Sequence, residues 1–432
     1  MLQDLPPSPV LAVAYSGGLD STVLLHLALQ SGRRVHAFHI HHGLSPNADA
    51  WEEHCRLQCA QWGVPFASRR VALPDRSEAS ARKARYAALG QLCQEHGVPL
   101  LLTAHHLDDQ AETILLQLLR GAGPAGLSGM DACNRAPSLL GSAEILLARP
   151  LLHASRAQLE DHVRQHGLAH IEDESNADTR YARNALRHEV MPRLAQAFPG
   201  FQERFARSAR HAQSAQRLLT ELAADDLRAC LADDGASLQL AQVRALSPDR
   251  CRNLLRHWFS QRGIRLPSAS WLAEMQEQAL TAREDANLKV THPDCEVRRH
   301  RDRLYLVPRR AERPEAPQQF RWNGESQIAF PAFGGTLHIA LAPQGLDPDW
   351  LRAQQLSIGY PSGGSGLKLA RNRPTRSIKQ HYQSLGVPAW ERARLPAVSI
   401  PGQILFVAGI GMDCHKLSSG PEHRLVFRWE AE

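Results

Sequence analysis

The sequence lacks the long apolar run that a membrane-spanning helix requires. Such a helix needs about 20 consecutive apolar residues, and the first apolar run, residues 10–15, is far shorter. The first ten residues carry Asp4 and three prolines instead of the basic segment that opens a signal peptide. We therefore predict no membrane association and a cytoplasmic location.

Closely spaced cysteine pairs are also missing. The eight cysteines are scattered through 432 residues, without the tight spacing of a small disulfide framework and without a Cys-x-x-Cys pair. We predict that they are reduced and mostly structural. Cys55 and Cys59 could share a helix face as metal ligands, but a packed amphipathic helix explains them equally well.

The composition is that of a globular protein with more than one domain. Hydrophobic residues make up 43% and charged residues 22% of the chain, which argues against a disordered or membrane protein. A length of 432 residues predicts about two or three domains of roughly 150 residues. The formal net charge of +6 favours a polyanionic partner, because neutralised phosphates release counterions, although total charge is weak evidence by itself.

Short apolar runs alternate with helical stretches in the first half of the chain. This interval predicts an α/β fold with a doubly wound, mostly parallel sheet covered on both faces. Such a sheet binds ligands at the carboxyl ends of its strands. The predicted strands are residues 10–15, 34–40, 66–71 and 98–103, and the predicted helices are residues 22–30, 49–62, 77–96 and 107–120.

The pattern changes after Met191-Pro192. Helical periodicity over 198–226 and 238–284 predicts a linker helix and a mainly helical middle domain, and residues 290–307 alternate like a hairpin. Three prolines in 308–319 suit a linker. The final part predicts a small α+β domain of short strands with one helix at 375–385. The predicted domains are residues 1–197, 198–310 and 320–432.

A loop with two glycines, Ser16-Gly17-Gly18-Leu19-Asp20-Ser21, lies between the first predicted strand and helix. Backbone N–H groups at such a helix start point toward an anion. The glycines let the backbone approach a phosphate and adopt positive φ, and Asp20 can hold Mg²⁺. The lysine of a Walker loop is absent, which argues against cleavage at a γ-phosphate. Taken alone, the loop could also be an ordinary turn in which Asp20 and Ser21 cap the helix.

A second polar segment, residues 103–113, lies where the fourth predicted strand meets the next helix. Asp109 and Glu112 are three residues apart, so a helix places both carboxylates on one face, where they could receive a cationic substrate. The alternative is that these acids only interact favourably with the helix dipole.

Further motifs occur in an order that matches one known family. They are residues 39–44, 120–123, 126–130, 149–152, 172–176, 183–184, 367–369, 376–379 and 385–392, together with Asp178, Tyr181, Arg187 and Arg371. With the loop and the polar segment, these motifs resemble the tRNA(Ile)-lysidine synthetase family of the pyrophosphatase-loop ATPases. The resemblance is dense from residue 10 to about 195 and resumes from 367 to 396. Residues 200–310 match only in length and helical character.

This resemblance implies a fold and a reaction. The fold is an adenine nucleotide alpha hydrolase-like, Rossmann-like domain. The enzyme is a ligase that forms a carbon–nitrogen bond between L-lysine and C2 of the wobble cytidine, C34, of the isoleucine tRNA with a CAU anticodon. ATP is converted into AMP and pyrophosphate through an adenylated cytidine, and Mg²⁺ is required.

The resemblance also implies roles for single residues. The loop from Ser16 to Ser21 binds ATP, and its Asp20 holds Mg²⁺. Asp109 and Glu112 bind lysine, and the expected catalytic residues are Asp20, Asp109 and Arg183. Arg183 and Arg187 contact ATP or tRNA phosphates, which suits the forked donors of arginine. Their alternative is a solvated helix face with the acids of residues 172–174 as partners.

The segment 367–396 is strongly basic. It holds seven basic residues against one acid, Glu391. Clustered charge predicts a tRNA-contacting surface more strongly than total charge does, and a basic solvated face is the alternative. The residues expected to contact tRNA are Lys368, Arg371, Arg376 and Lys379, together with Arg187.

Three other functions compete with this interpretation. A tRNA thiolase needs a cysteine as sulfur carrier or an iron–sulfur cluster, and no cysteine pair accompanies the loop. Amide-forming synthetases with this loop usually need an ammonia source or a glutaminase domain, and Leu2 stands where the amino-terminal cysteine of a glutaminase would follow Met1. A non-catalytic RNA-binding protein of this fold would not need Asp20, Asp109 and Glu112. The oligomeric state stays open, with a homodimer as one option.

Overall fold

The computed structural model of the protein describes residues 5–43, 45–72, 75, 77–174, 178–180, 182–281, 288–309, 314, 316–361 and 364–431. The chain divides into two compact units, Met1–Asp225 and Asp226–Glu432. None of the helices in the described ranges combines the length and the apolar character that crossing a membrane requires. Leu44, Ser175, Asn176 and Tyr181, which belong to the motifs above, lie outside the described residues.

A six-stranded sheet forms the centre of the first unit. Its strands are β1 Val10–Ala14, β2 Arg34–His41, β3 Phe66–Arg70, β4 Leu100–Leu102, β5 Cys133–Arg135 and β6 Leu146–Ala148. The order is β3-β2-β1-β4-β6-β5, and every pair of neighbours is parallel except β5 and β6. The predicted parallel sheet is confirmed. The sequence pattern did not predict β5 and β6. Three residues show no period, and neither strand lies between two predicted helices, as the equally short β4 does.

Helices cover both faces of this sheet. The helices of the first unit are α1 Leu19–Leu29, α2 Ala48–Gln61, α3 Glu78–Glu95, α4 Leu107–Leu119, α5 Pro124–Leu127, α6 Pro137–Leu140, α7 Arg156–His166, α8 Ala182–Ala185 and α9 Met191–Ala197, with a π-helical turn Leu186–Val190 before α9. Of these, α1, α2 and α7 pack on one face of the sheet, and α3 and α6 pack on the other. Leu11 and Val13 of β1 pack into the apolar cluster of α1, α2 and α7, whereas Ala12 packs into that of α3. This alternation is what a strand buried on both faces requires.

The strand order reverses at β1. From β1 the chain moves outward to β2 and β3, and it then returns to β4 on the other side of β1. Because β1 and β4 are parallel, the segments that follow them, residues 15–18 and 103–106, start at the same edge of the sheet. Ligands of doubly wound folds bind at such a reversal point.

The second unit begins with helices and an antiparallel sheet. Its elements follow the long helix α10 Phe201–Cys230 and are β7 Leu238–Gln239, α11 Leu240–Ala245, α12 Pro248–Gln261, α13 Ala269–Thr281, β8 Lys289–Thr291, β9 Cys295–His300 and β10 Arg303–Pro308. The predicted hairpin is confirmed as β9 and β10. The sheet order is β7-β10-β9-β8. Strand β7, which pairs with β10, lies at the start of the segment 238–284, for which the sequence predicted only helical periodicity.

The remainder of the second unit holds two larger antiparallel sheets, β11-β14-β17-β18-β19 and β12-β13-β20, and the pair β15-β16. Its elements are β11 Gln318–Phe320, β12 Gln327–Phe330, β13 Gly335–Gly345, α14 Pro348–Arg352, β14 Leu356–Gly359, β15 Gly366–Leu367, β16 Arg376–Ser377, α15 Ile378–Ser384, α16 Ala389–Arg392, β17 Ala397–Ile400, β18 Gln403–Val407, β19 Gly411–Met412 and β20 Ser418–Ala431. Helix α15 confirms the predicted helix. The short helices α14 and α16 correct the expectation of only one.

Candidate active site

One glycine with positive φ shapes the loop between β1 and α1. Gly17 has a φ of +82°, and a Cβ there would lie 2.5 Å from Ile171 Cδ1 and 2.7 Å from Cys55 Sγ. A side chain would therefore clash as well as strain the backbone. Gly18 has a φ of −72° and is the N-cap of α1. The expectation of positive φ at both glycines is thus correct for Gly17 and wrong for Gly18, where the helix already begins.

Serine hydroxyls brace the loop from within. Ser16 Oγ lies 3.0 Å from Ser21 Oγ and accepts the N–H of Gly18 at 3.4 Å. Ser21 Oγ accepts the N–H of Ser16 at 3.2 Å and donates to the Gly18 carbonyl at 3.0 Å. Leu19 is the first residue of α1, three residues before the predicted start, and its N-cap supplies no side-chain hydrogen bond. A helix start without a capping side chain suits an anion such as phosphate.

Asp20 lies between a guanidinium and an imidazole. Arg156 Nη1 donates to both carboxylate oxygens, at 2.7 and 2.8 Å. His106 Nε2 lies 3.8 Å from Asp20 Oδ2. Burial raises the pKa of Asp20, and the charges of His106 and Arg156 oppose that rise. The two basic groups therefore favour the ionised carboxylate, which is the form that binds Mg²⁺.

Arg156 is a site residue that sequence reasoning missed. It is the first residue of α7, and its backbone N–H donates to Asp108 Oδ2 at 2.8 Å. Arg156 thus joins Asp20, after β1, to Asp108, after β4. The available signal was its position shortly after the family motif 149–152, since nothing in the local sequence pairs it with Asp20.

His106 is a second residue to which sequence reasoning assigned no role. It is the N-cap of α4, where its Nδ1 accepts the N–H of Asp109 at 3.4 Å and Asp109 Oδ2 accepts the N–H of His106 at 3.1 Å. This reciprocal capping fixes the first turn of the helix. His106 Nε2 also lies 3.4 Å from Asp109 Oδ2. The buried ring of His106 therefore connects Asp20 with Asp109.

Asp109 and Glu112 share one face of α4, and both accept hydrogen bonds from two arginines. Arg183 donates from Nε to Glu112 Oε2 at 2.8 Å and from Nη2 to Asp109 Oδ1 at 3.0 Å. Arg187 donates from Nε to Glu112 Oε1 at 2.7 Å and from Nη2 to Asp109 Oδ1 at 3.1 Å. The Glu112 side chain is only 2% exposed, so these arginines compensate a buried charge.

The two arginines lie in adjacent elements, Arg183 in α8 and Arg187 in the π-helical turn Leu186–Val190. Such turns occur frequently at functional sites. Burial is the largest influence on Asp109 and raises its pKa, but the charges of His106, Arg183 and His105 together outweigh burial, so the pKa of Asp109 is lowered. Asp109 is therefore held as a carboxylate. Both arginines pair with acids of α4. This differs from the alternative given in the sequence analysis, a solvated helix face with the acids of residues 172–174 as partners.

The arrangement combines two kinds of charge site at one sheet edge. The loop after β1 offers a helix start without a capping side chain, which suits an anion, and Asp20 adds a carboxylate beside it. The face of α4 carries two carboxylates, which suit a cation. His106 and Arg156 link the two parts through contacts with Asp20 and α4. Chemically, this can bring an activated phosphate ester and an amine to the same crevice.

The basic residues predicted to contact tRNA lie in the second unit around β15, β16 and α15. Arg376 lies in β16, Lys379 in α15 and Arg371 in the segment before them, and all three are exposed. Lys368 is half-buried, and its backbone N–H donates to Asp413 Oδ2 at 3.0 Å. The structure thus brings three of these cations into one short hairpin and helix. Arg187, the fifth predicted contact, lies in the first unit.

The paired cysteines on α2 belong to the core. Cys55 and Cys59 are buried in the apolar cluster between α2 and the sheet. Burial raises the pKa of both thiols to about 12. Both side chains pack among apolar residues of the sheet and of α1, so the structure supports the packed-helix interpretation.

Family models match most of the chain. The PP-loop domain matches residues 2–194, the TilS substrate binding domain matches residues 238–305, and the TilS substrate C-terminal domain matches residues 356–429. The first match contains the loop, α4 and both arginines. The third contains the basic residues around α15.

Curated relatives match almost the whole chain. The tRNA(Ile)-lysidine synthase of Burkholderia pseudomallei (strain K96243) is 42% identical over an alignment of 450 residues, gaps included. This alignment covers 95% of this chain and 91% of the relative. The enzyme of the same name from Alkalilimnicola ehrlichii is 40% identical over an alignment of 431 residues, which covers 98% of this chain and 94% of the relative. The enzyme of the same name from Methylococcus capsulatus is 40% identical over an alignment of 437 residues, which covers 98% of this chain and 97% of the relative. With these relatives and these domains, the chain belongs to the tRNA(Ile)-lysidine synthase family.

Proposed function

We propose that this protein joins L-lysine to C2 of the wobble cytidine, C34, of the isoleucine tRNA with a CAU anticodon. The products are lysidine, AMP and pyrophosphate, and the reaction passes through an adenylated cytidine. The observation that carries the proposal is the shared position of the loop after β1 and the acids of α4. His106 lies 3.8 Å from Asp20 and 3.4 Å from Asp109, so the phosphate and amine sites adjoin.

The loop residues fit ATP and Mg²⁺. Ser16, Gly17, Gly18, Leu19, Asp20 and Ser21 would surround the phosphates, because Gly17 permits a close backbone approach and α1 starts without a capping side chain. Asp20 would hold Mg²⁺, which offsets negative charge on the phosphates when bound. Arg156, a cation, contacts both oxygens of Asp20. That contact supports a role for Asp20 in binding positive charge.

The proposed chemistry overcomes a poor leaving group. The C2 oxygen of cytosine would attack the α-phosphate of ATP and release pyrophosphate. The lysine ε-amine, after losing one proton, would then attack C2, and the oxygen would leave as part of AMP. The C2 oxygen thus ends in AMP, and the new bond is between carbon and nitrogen. Positioning of the amine beside C2 is the main contribution that the protein can make to the second step.

Asp109 and Glu112 would bind the ammonium groups of lysine. Arg183 and Arg187 occupy these carboxylates with four hydrogen bonds at 2.7 to 3.1 Å. We infer that the two guanidinium groups stand in for the substrate, since removing them without replacement would leave Glu112 as a buried uncompensated charge. Once lysine displaces them from these carboxylates, Arg183 and Arg187 would contact phosphates of ATP or tRNA. Of the two arginines, Arg183 would be the catalytic residue.

Three domains would divide this work. Residues 1–197 would catalyse the reaction, residues 198–310 would form the linker helix and middle domain, and residues 320–432 would bind tRNA. The exposed cations Arg371, Arg376 and Lys379, with Lys368, would contact tRNA phosphates together with Arg187. A cytoplasmic location fits a tRNA substrate.

The test is a direct assay of the product. Pure protein is incubated with ATP, Mg²⁺, L-lysine and a CAU-anticodon tRNA transcript, and the masses of the digested nucleosides are measured. We expect one cytidine per tRNA to gain the mass of lysine less one water, with AMP formed in equal amount. A transcript in which the wobble cytidine is replaced by uridine is the control and should stay unmodified. Unchanged cytidine without AMP would rule out the proposal.

Two variants separate the two half-reactions. Asp20→Ala should abolish pyrophosphate release, because the loop loses its metal-binding carboxylate. Asp109→Ala should mainly raise the lysine concentration needed for half-maximal rate. Equal loss of adenylation in both variants would contradict this division of roles. Pyrophosphate release also excludes a non-catalytic RNA-binding protein, and product mass distinguishes lysidine from a thiolated base or an amide.

A further inference from the structure

Three histidines meet where α1 and α7 end. His26 lies in the last turn of α1, and His166 lies in the last turn of α7, four residues after His162. The ring centroids are 5.2 Å apart for His26 and His162, 4.9 Å for His26 and His166, and 4.4 Å for His162 and His166. The cluster belongs to no part of the proposed reaction.

These distances match those around a tetrahedral metal ion. Zn–N bonds of about 2.0–2.1 Å at tetrahedral angles place two ligand nitrogens about 3.4 Å apart and their ring centres about 5 Å apart. His26 Nδ1 lies 3.0 Å from His162 Nε2. His162 and His166 have the spacing on one helix with which two histidines bind zinc in the His-Glu-x-x-His motif. The ring of His166 has its centre 4.9 Å from that of His26 and 4.4 Å from that of His162, so it would have to rotate to direct a nitrogen to the point that the other two rings share.

The rings of His26 and His162 are also in a suitable chemical state. Burial, followed by the charge of His166, lowers the pKa of both His26 and His162. Neutral imidazole is the form that binds a metal. His166 is exposed, so an ion can reach the cluster from solvent.

We propose that His26, His162 and His166 form a binding site for one divalent transition-metal ion of the zinc class. Water would complete the coordination. The site would tie the end of α1 to the end of α7. Asp20 and Arg156 lie in the first turns of the same two helices, so the ion would brace the pair of helices that carries this contact. The proposal does not depend on the tRNA reaction.

A second group of possible ligands makes a useful comparison. In the part of the chain that the structure describes, His41, Asp49 and Glu52 have ligand atoms within 4.8 Å of one another. Arg70 Nη2, however, lies 2.5 Å from Asp49 Oδ1 and 3.5 Å from Glu52 Oε2. Two of its three ligands are carboxylates, and the Asp49 side chain is 74% exposed. Imidazole suits zinc-class ions, so we assign the metal to the three histidines.

The experiment measures metal binding by the full chain without an affinity tag. Zn²⁺ is titrated calorimetrically, and Co²⁺ is added to record the visible absorption of tetrahedral cobalt. We expect one ion per chain and a dissociation constant at least tenfold higher in His26→Ala, His162→Ala and His166→Gln. Zn²⁺ should also raise the melting temperature of the wild type but not of these variants.

Control variants locate the site. His96→Ala removes one ring of the His36–His96 pair, whose centroids are 5.6 Å apart, and Asp49→Asn disables the second group. Both should bind Zn²⁺ like the wild type. His166 is exposed at a helix end, so His166→Gln tests the site without endangering the fold. Wild-type affinity in His166→Gln, loss of binding in Asp49→Asn, or no saturable binding at millimolar Zn²⁺ would each overturn the proposal.

Discussion

Arg156 Nη1 lies 2.7 Å from Asp20 Oδ1, although 136 residues separate the two in the chain. The contact joins the start of α7 to the loop after β1. A positive charge therefore contacts the carboxylate that we expect to hold Mg²⁺. The position and ionisation of Asp20 consequently depend on a helix that is remote in sequence.

Replacing Arg156 should change the pH dependence of pyrophosphate release. Asp20 must be ionised to bind Mg²⁺, its pKa is already raised by burial, and the charge of Arg156 lowers it. Removing that charge raises the pKa further, so protonation begins at higher pH. The acid limb of the pH–rate profile of Arg156→Ala should therefore move to higher pH. Arg164→Ala, on the same helix but paired with Asp161, is the control, and an equal shift in both would refute the argument.

Gly17 and Gly18 should differ sharply in their tolerance of alanine. Gly17→Ala places a Cβ 2.5 Å from Ile171 Cδ1 at a φ of +82°. We expect the free energy of unfolding to fall by about 1–3 kcal/mol and ATP binding to weaken. Gly18 has a φ of −72°, and the nearest neighbour of a Cβ there is 3.5 Å away.

Gly18→Ala is therefore the matched control for this prediction. It should leave the free energy of unfolding within about 0.5 kcal/mol of the wild type. Urea denaturation of both variants provides the measurement. Equal destabilisation would mean that the geometry of the loop does not distinguish the two glycines.

Neutralising Glu112 should weaken both the fold and the binding of lysine. Glu112→Gln removes the charge that faces Arg183 and Arg187. We expect a loss of about 1–3 kcal/mol in the free energy of unfolding, because a partner of charged groups is removed at a mostly buried site. The lysine KM should rise. Glu160→Gln, whose partner Arg156 is 41% exposed, should change both quantities little, so comparable losses in the two variants would contradict the prediction.

The basic surface should affect tRNA affinity through salt-dependent contacts. Replacing Arg371, Arg376 and Lys379 by alanine should weaken tRNA binding and reduce the slope of log affinity against log salt by about 0.7–0.9 for each phosphate that is no longer neutralised. Filter binding at several salt concentrations measures this slope. Arg352→Ala, whose partner is Asp349 in α14, should leave it unchanged. A weaker affinity with an unaltered slope would argue against direct phosphate contacts.

Local patterns were sufficient for most elements of the first unit. The apolar run of β1, the helical period of α1 and the glycines between them predicted a strand, a phosphate loop and a helix in the correct order. The start of α1 was placed three residues late, because Gly18 is the N-cap and the loop already contains the first helical turn. The short strands β5 and β6 left no periodic signal. Their place in the sheet follows from the pairing of β6 with β4 and of β5 with β6.

The candidate site, too, was predictable from local sequence only in part. The spacing of Asp109 and Glu112 was enough to place both acids on one face of a helix, because i and i+3 residues are neighbours on that surface. Their pairing with Arg183, more than 70 residues away, could not be predicted from spacing. It arises because α8 and the π-helical turn pack against α4.

The sequence by itself thus determined the family, the order of strand, loop and helix around residues 16–21, and the shared helix face of Asp109 and Glu112. These depend on residue type and on short-range periodicity. Only the tertiary structure decided which charges meet. Arg156 contacts Asp20, the two arginines contact Asp109 and Glu112, and three histidines meet between α1 and α7. The physical reason is that ion pairs and ligand clusters depend on distance in space, which the packing of helices on the sheet determines.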